Sequence, residues 1–198
     1  MPRGSKCLVI DANIARSAGG ESAQNAVSVS CRDFLLAVRD DTKHKVVSTE
    51  AIDAEWQRHQ SRFTARWLVS MYKKGRVCPV DAPIHQNLRH KIESIVSDTQ
   101  AHDVLFGDLP HSQAVEQAEK MRLAMLKDAH LIEAALRSER IVCSLDDTMR
   151  GYFHLCVPFI GMLKRIVWVN PCNEEEQVII WLSEGAELNE KRTLGYVE

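Results

Sequence analysis

The sequence predicts an α/β domain in three layers, α/β/α, with helices on both faces of a central, mostly parallel sheet of four or five strands. Three observations lead there. Short unbroken apolar runs, Cys7 to Ile10 and Ile141 to Cys143, read as strands covered on both faces. Between such runs, apolar residues recur at three and four positions, which is the period of an amphipathic helix. Strand and helix then alternate over most of the chain, an order that builds parallel sheets through right-handed crossovers.

Taken in order, Cys7 to Ile10 is the first strand, and it ends in Asp11-Ala12-Asn13. By itself Asp-x-Asn is a turn or a helix cap, because both side chains bond nearby backbone N–H groups. Ser17 to Gly20 is a turn, and a helix opening within Glu21 to Ala26 runs to about Val38, with Phe34, Leu35 and Val38 inward. Asp40 to Lys43 is polar, and Lys45 to Ser48 is the second strand. Ser48 or Thr49 then caps a helix carrying Glu50, Asp53, Glu55 and Trp56. Beyond Trp56 it turns basic, through Arg58, His59, Arg62, Arg66, Lys73, Lys74 and Arg76, with Trp67, Leu68, Met71 and Tyr72 as its packing stripe. Two prolines make Val77 to Pro83 irregular or briefly extended. Ile84 to Ser97 is an amphipathic helix with Ile84, Leu88, Ile92 and Ile95 or Val96 inward. Asp98 to Pro110 is a polar loop anchored by Leu105 and Phe106, and Gln113 to Leu126 is helical through Val115, Ala118, Met121, Leu123 and Met125.

Lys127 to Asp147 carries the densest signal. Asp128 stands where a helix would begin, ahead of the inward series Leu131, Ile132, Ala135 and Leu136. Arg137 to Arg140 ends it, Ile141 to Cys143 is a strand, and Asp146 and Asp147 follow at that strand's carboxyl end. In open α/β sheets this is the edge where sites are built. Thr148 to Leu155 is a short helix, Pro158 and Gly161 break the next apolar run, and Arg165 to Val169 is the last strand, stopped by Asn170-Pro171. A final helix spans Asn173 to Leu182, its Glu174, Glu175 and Glu176 answering the helix dipole. The expected organisation is one domain, 1–185, with a helical insertion at about 57–126 and a mobile polar tail at 186–198.

Composition narrows the classes. With 45% hydrophobic and 26% charged residues, this is ordinary globular material, and 198 residues suffice to bury a full core. A net charge of −2 excludes a wholly basic nucleic-acid binder, so any basic surface must be local. Its six cysteines show no CxxC pair and no zinc spacing, and several sit inside apolar runs as small core residues. No apolar run is long enough for a signal peptide or a bilayer span, and a cytoplasmic location is the expectation.

Asp11 and Asp146 both follow strands, and the topology brings such strand ends to one edge. Asp128 and Glu55 come from helices at that edge. Among Glu50, Asp53 and Glu55, the last lies nearest the face that must pack, beside Trp56 and one turn after Ile52. Four converging carboxylates repel one another, and burial makes each charge costlier. Divalent cations, Mg²⁺ among them, are the natural remedy. A dinucleotide fold is excluded because no GxGxxG follows Ile10, and aspartyl-phosphate chemistry would want a second Asp where Asn13 stands.

These residues resemble the PIN (PilT N-terminus) domain nucleases. Val9-Ile10-Asp11-Ala12-Asn13 is similar to that family's first motif, an apolar strand ending in Asp-x-Asn/Ser/Thr. Asp128-Ala129-His130-Leu131-Ile132 and Ser144-Leu145-Asp146 are similar to its third and fourth acids, with Ser144 two positions before the last. Asn170-Pro171, following a strand and preceding a helix, resembles its closing element. The likeness covers roughly 6–56 and 127–183; the segment 57–126 is longer and more helical than a minimal member carries. The resemblance implies a metal-dependent endoribonuclease acting on single-stranded or structured RNA. Asp11, Glu55, Asp128 and Asp146 would hold one or two Mg²⁺ or Mn²⁺ ions. Asn13 and Ser144 would orient ligands or water, and Asp147 would share or replace the role of Asp146. Arg58, Arg62 and Arg66 are assigned to the RNA backbone on charge alone. Toxin of a toxin–antitoxin pair with an antitoxin partner, processing enzyme, defence effector and homodimer all fall within the family. So does the alternative of a catalytically inactive RNA-binding or scaffold module.

Overall fold

Leu8, Val9 and Ile10 have no solvent exposure, as a strand covered on both faces requires. They belong to β1 (Cys7–Ile10), the centre of a five-stranded parallel sheet completed by β2 (Lys45–Ser48), β3 (Val77–Pro79), β4 (Ile141–Cys143) and β5 (Val167–Val169). The order is β3-β2-β1-β4-β5, and helices flank the sheet to give the α/β/α layers. The computed structural model describes residues 4–95, 97 and 99–197.

The chain builds outward from β1 in one direction through β2 and β3, then returns to the other side of β1 for β4 and β5. Ile10 pairs with Cys143 and Leu8 with Val46, so β1 and β4 lie side by side where the winding reverses. A crevice opens at the carboxyl ends of the strands at such a switch point. Asp11 N–H donates to Cys143 O (2.9 Å), which ties the two strand ends together there.

Asp-x-Asn is a helix cap. The Asp11 carboxylate accepts from Asn13 N–H and starts α1 (Ala12–Ser17) directly after the strand. Asn25 caps α2 (Ala26–Leu36), which continues as a π-helical turn over Ala37–Asp41. Thr49, not Ser48, caps α3 (Glu50–His59), while Ser48 Oγ donates to Asp53 instead. The basic segment does not continue as one helix. It breaks at Gln60-Ser61, where Ser61 N–H donates to Ala15 O and the Ser61 side chain caps α4 (Arg62–Lys73). Trp67 and Met71 are buried as expected, whereas Tyr72 is exposed.

The insertion is not purely helical, because β3 adds a strand to the sheet; its Pro79 is accommodated at that edge. Next come α5 (Gln86–Ser94), α6 (Thr99–Phe106), α7 (His111–Leu136), α8 (Asp147–Leu155) and α9 (Val178–Ser183). Ile84 precedes α5 and is exposed; Leu88, Ile92 and Ile95 face inward. The expected inward Val96, and Asp98 at the head of the expected loop, lie outside the described residues. Most of that polar loop is helix α6, with Phe106 buried as its anchor.

The largest correction concerns Asp128, which does not begin a helix. α7 runs unbroken for 26 residues and carries Asp128 well inside it. Asp and an apolar series are a start signal, yet Gln113 to Lys127 contains no Gly or Pro to stop the preceding helix. Val115 and Leu123, expected inward, are exposed on this helix.

The tail is corrected as well. Ala186 and Leu194 are buried, Thr193 bridges antiparallel to Val167, and Leu194 N–H donates to Ile166 O. The expected final helix splits at Gln177 (φ 43°) into a 3₁₀ turn and α9. Glu176 does more than answer a dipole: its Oε1 is 2.5 Å from Arg150 Nη1, and Asn170 N–H donates to its Oε2. Among the described residues no helix is long and apolar enough to cross a membrane.

Candidate active site

Asp11, Glu55, Asp128 and Asp146 line one cavity of about 260 Å³ at the β1/β4 switch point, together with Asn13. They arrive from separate elements: the cap of α1, the body of α3, the body of α7 and the cap of α8. Geometry also separates the three contenders for the second acid. Asp53 accepts from Ser48 Oγ (2.7 Å), Glu50 lies exposed at the start of α3, and Glu55 alone faces the cavity. Trp56 helps hold α3 in place, its indole N–H donating to Ile10 O (3.0 Å).

Ser144 is the hub beneath the acids. Fully buried, its hydroxyl donates to Asp11 Oδ2 (2.6 Å) and accepts from Asn13 Nδ2 (2.9 Å) and Asp146 N–H (3.1 Å). Asn13 Oδ1 in turn accepts from Leu145 N–H (3.2 Å). These bonds clamp the loop after β4 to the cap of α1 and fix the orientation of the Asp11 carboxylate. Asp146 uses Oδ1 to cap α8 through Met149 N–H (2.7 Å), which leaves Oδ2 without a protein donor among the described residues.

Asp128 is the costly member. Its side chain is 17% exposed, and among the described residues its one ion-pair partner, Lys127 Nζ, stands 3.9 Å away. Burial, with Asp11 and Glu55 adding to it against the opposing pull of Lys127 and His130, pushes its carboxyl up to about 6. Burial also raises Asp11, and Glu55 adds to the shift, although the Ser144 hydroxyl and the Asn13 amide oppose both. A carboxylate left in this condition gains no stability for the fold, which is a mark of functional groups.

Several members were not among the predicted site residues. His130, nine-tenths buried on α7, has Nδ1 3.1 Å from Lys127 O, so that nitrogen carries the hydrogen. Its Nε2 stands 3.3 Å from Glu55 Oε2 with no hydrogen bond between them. Arg16 and Lys127 bring positive charge to the lining, and His59 adds an imidazole. Their signals were legible: Arg16 lies three positions after Asn13, and His59 four after Glu55, spacings that share a helix face.

Other assignments do not meet the cavity. Arg58, Arg62 and Arg66 are exposed and line no part of it, and Arg58 Nε donates to Ala54 O in its own helix. Asp147 points elsewhere, accepting from Asn170 Nδ2 (2.8 Å). Arg76, counted with the basic segment, is a structural link donating to the carbonyls of Arg39 and His44.

In kind, the donor set suits a hard cation, since it offers carboxylate oxygens and no thiolate. As placed, no group of three His, Cys, Asp or Glu side chains among the described residues is close enough to hold an ion. No family model matches the chain, and no curated protein or solved structure matches it either.

Proposed function

We propose that this cavity hydrolyses RNA phosphodiester bonds with a divalent cation, Mg²⁺ or Mn²⁺, as in the PIN nucleases the sequence resembles. The observation that carries the reading is Asp128, a largely buried carboxylate with no hydrogen-bond donor among the described residues, facing the same cavity as three further acids. Such a cluster is unfavourable until a cation shares its charge.

Asp11, Glu55, Asp128 and Asp146 would hold the ion or ions. A divalent cation there supplies Lewis-acid activation of water and neutralises charge on the leaving oxygen. Ser144 and Asn13 keep the Asp11 carboxylate aimed at the cavity. His130 lies behind Glu55, its Nε2 3.3 Å from Glu55 Oε2 and its ring oriented by the Lys127 carbonyl. Fixing ligands from outside their coordination shell in this way is worth about 10–100-fold in affinity or activity.

The test follows thermal unfolding and cleavage of a labelled RNA as Mn²⁺ is added. At a hundredfold excess over Kd, bound ion should stabilise the fold by about 2.7 kcal/mol and switch cleavage on. Asp146→Asn should lose both responses; unchanged cleavage in that variant would overturn the assignment. A second reading, an RNA-binding or scaffold module without catalysis, is favoured by the spacing of the acids, which are not gathered around an ion. On that reading Mn²⁺ changes neither the melting temperature nor the length of the RNA.

A further inference from the structure

Resting on the reading of the cavity as a phosphodiester site, its lining also says which part of the polymer it takes. Recognition of a nucleobase needs a ring to stack on, or a free donor and acceptor for its edge. Ala12 is the one apolar side chain in the lining, and the imidazole of His59 is the one ring, a single face on which any base would stack alike. The single amide, Asn13, has both ends engaged, Nδ2 on Ser144 Oγ and Oδ1 on Leu145 N–H. The four carboxylates are the groups a cation would share. What remains is the guanidinium of Arg16, the ammonium of Lys127 and the imidazole of His59.

Arg16 and His59 are exposed, with no ion pair or hydrogen bond among the described residues, and the Lys127 side chain is 77% exposed. They come from α1, α3 and α7. Guanidinium, imidazole and ammonium groups beside an acid-lined cavity suit phosphate oxygens, which position a strand without reading it. We propose that Arg16, His59 and Lys127 grip the sugar–phosphate backbone of RNA and that the cavity does not discriminate between bases. The bond cut is then chosen without regard to the base beside it.

The experiment measures binding of equal-length, unstructured homopolymers of U, A and C to Asp146→Asn protein, in which turnover is blocked. The three affinities should agree within about threefold, since a base contact worth having discriminates by roughly tenfold or more. Combining Arg16→Ala with Lys127→Ala should weaken all three about tenfold and flatten the salt slope by about 1.4 for two lost contacts. Both side chains are exposed, so an unchanged melting temperature verifies the fold. Arg66→Ala, outside the cavity, should leave affinity as it was. A larger spread among the homopolymers, or unaltered affinity in the double variant, overturns the inference even where the wild type cleaves RNA. Conversely, a wild type that cleaves none of the three, while the double variant still loses affinity for all alike, refutes hydrolysis and leaves the backbone grip standing.

Discussion

Two acids on α7, Asp128 and Glu133, are both largely buried, and they are treated in opposite ways. Glu133, 4% exposed, accepts from Arg89 Nε (2.8 Å), Arg89 Nη2 (2.9 Å) and His85 N–H (2.8 Å). Burial works against its charge, but these donors outweigh it and hold the carboxyl below its usual range. Asp128 receives no such bond among the described residues and is pushed up by burial, with Asp11 and Glu55 adding to it. On the proposed reading, the contrast separates a structural charge from a functional one. Glu133 pins the inserted α5 to α7, whereas Asp128 faces the cavity with no donor from the described residues.

The largest way to break this comparison is Arg89→Ala. Leaving Glu133 buried and unpaired should cost about 3–5 kcal/mol, read as a lowered melting temperature. A change within experimental scatter would make the pin an ordinary surface pair. On the other side, Asp11→Asn should reduce Mn²⁺-dependent RNA cleavage by more than about 100-fold, beyond what residues that merely orient a ligand contribute, with melting temperature little changed. Retained cleavage would remove Asp11 from the site.

Asp128→Asn sharpens the contrast through pH. The folded carboxyl titrates at about 6, above its ordinary 3.8, so the folded chain binds the proton more tightly than the unfolded one. Stability is therefore lost as pH rises through that window, and the full penalty applies above it. Removing the charge should raise stability by about 2–3 kcal/mol at neutral pH, a gain that shrinks to nothing near pH 4. A variant less stable than wild type at neutral pH would show that Asp128 serves the fold. The smallest expected effect is Ser144→Ala, which should slow cleavage about tenfold by loosening Asp11, while Asp146 keeps its place as the cap of α8.

The sequence by itself determined the central strands and the acids at their ends. Continuous apolar runs such as Leu8 to Ile10 leave little choice of environment, and an acid directly after one must lie at the sheet's carboxyl edge. It also pointed to Glu55 through its neighbour Trp56, because a helix face committed to packing carries its neighbours inward. Arg16 and His59 were within reach of the same spacing argument, through Asn13 and Glu55.

Other features were decided by tertiary structure. Local rules read Asp128 as a helix start, because a cap and a mid-helix acid look alike until the preceding turn is seen to continue. The charge run at Arg58, Arg62 and Arg66 marked a solvated face, since composition does not say which cation reaches a cavity. The polar ending 186–197 packs through Leu194 and the Thr193–Val167 bridge, which depends on an open sheet edge that exists once β5 is in place. Burial is a property of the assembled chain. With burial common to both, the partners that the assembled chain brings up are what divided two acids five residues apart on one helix, Arg89 and His85 for Glu133 and further acids for Asp128.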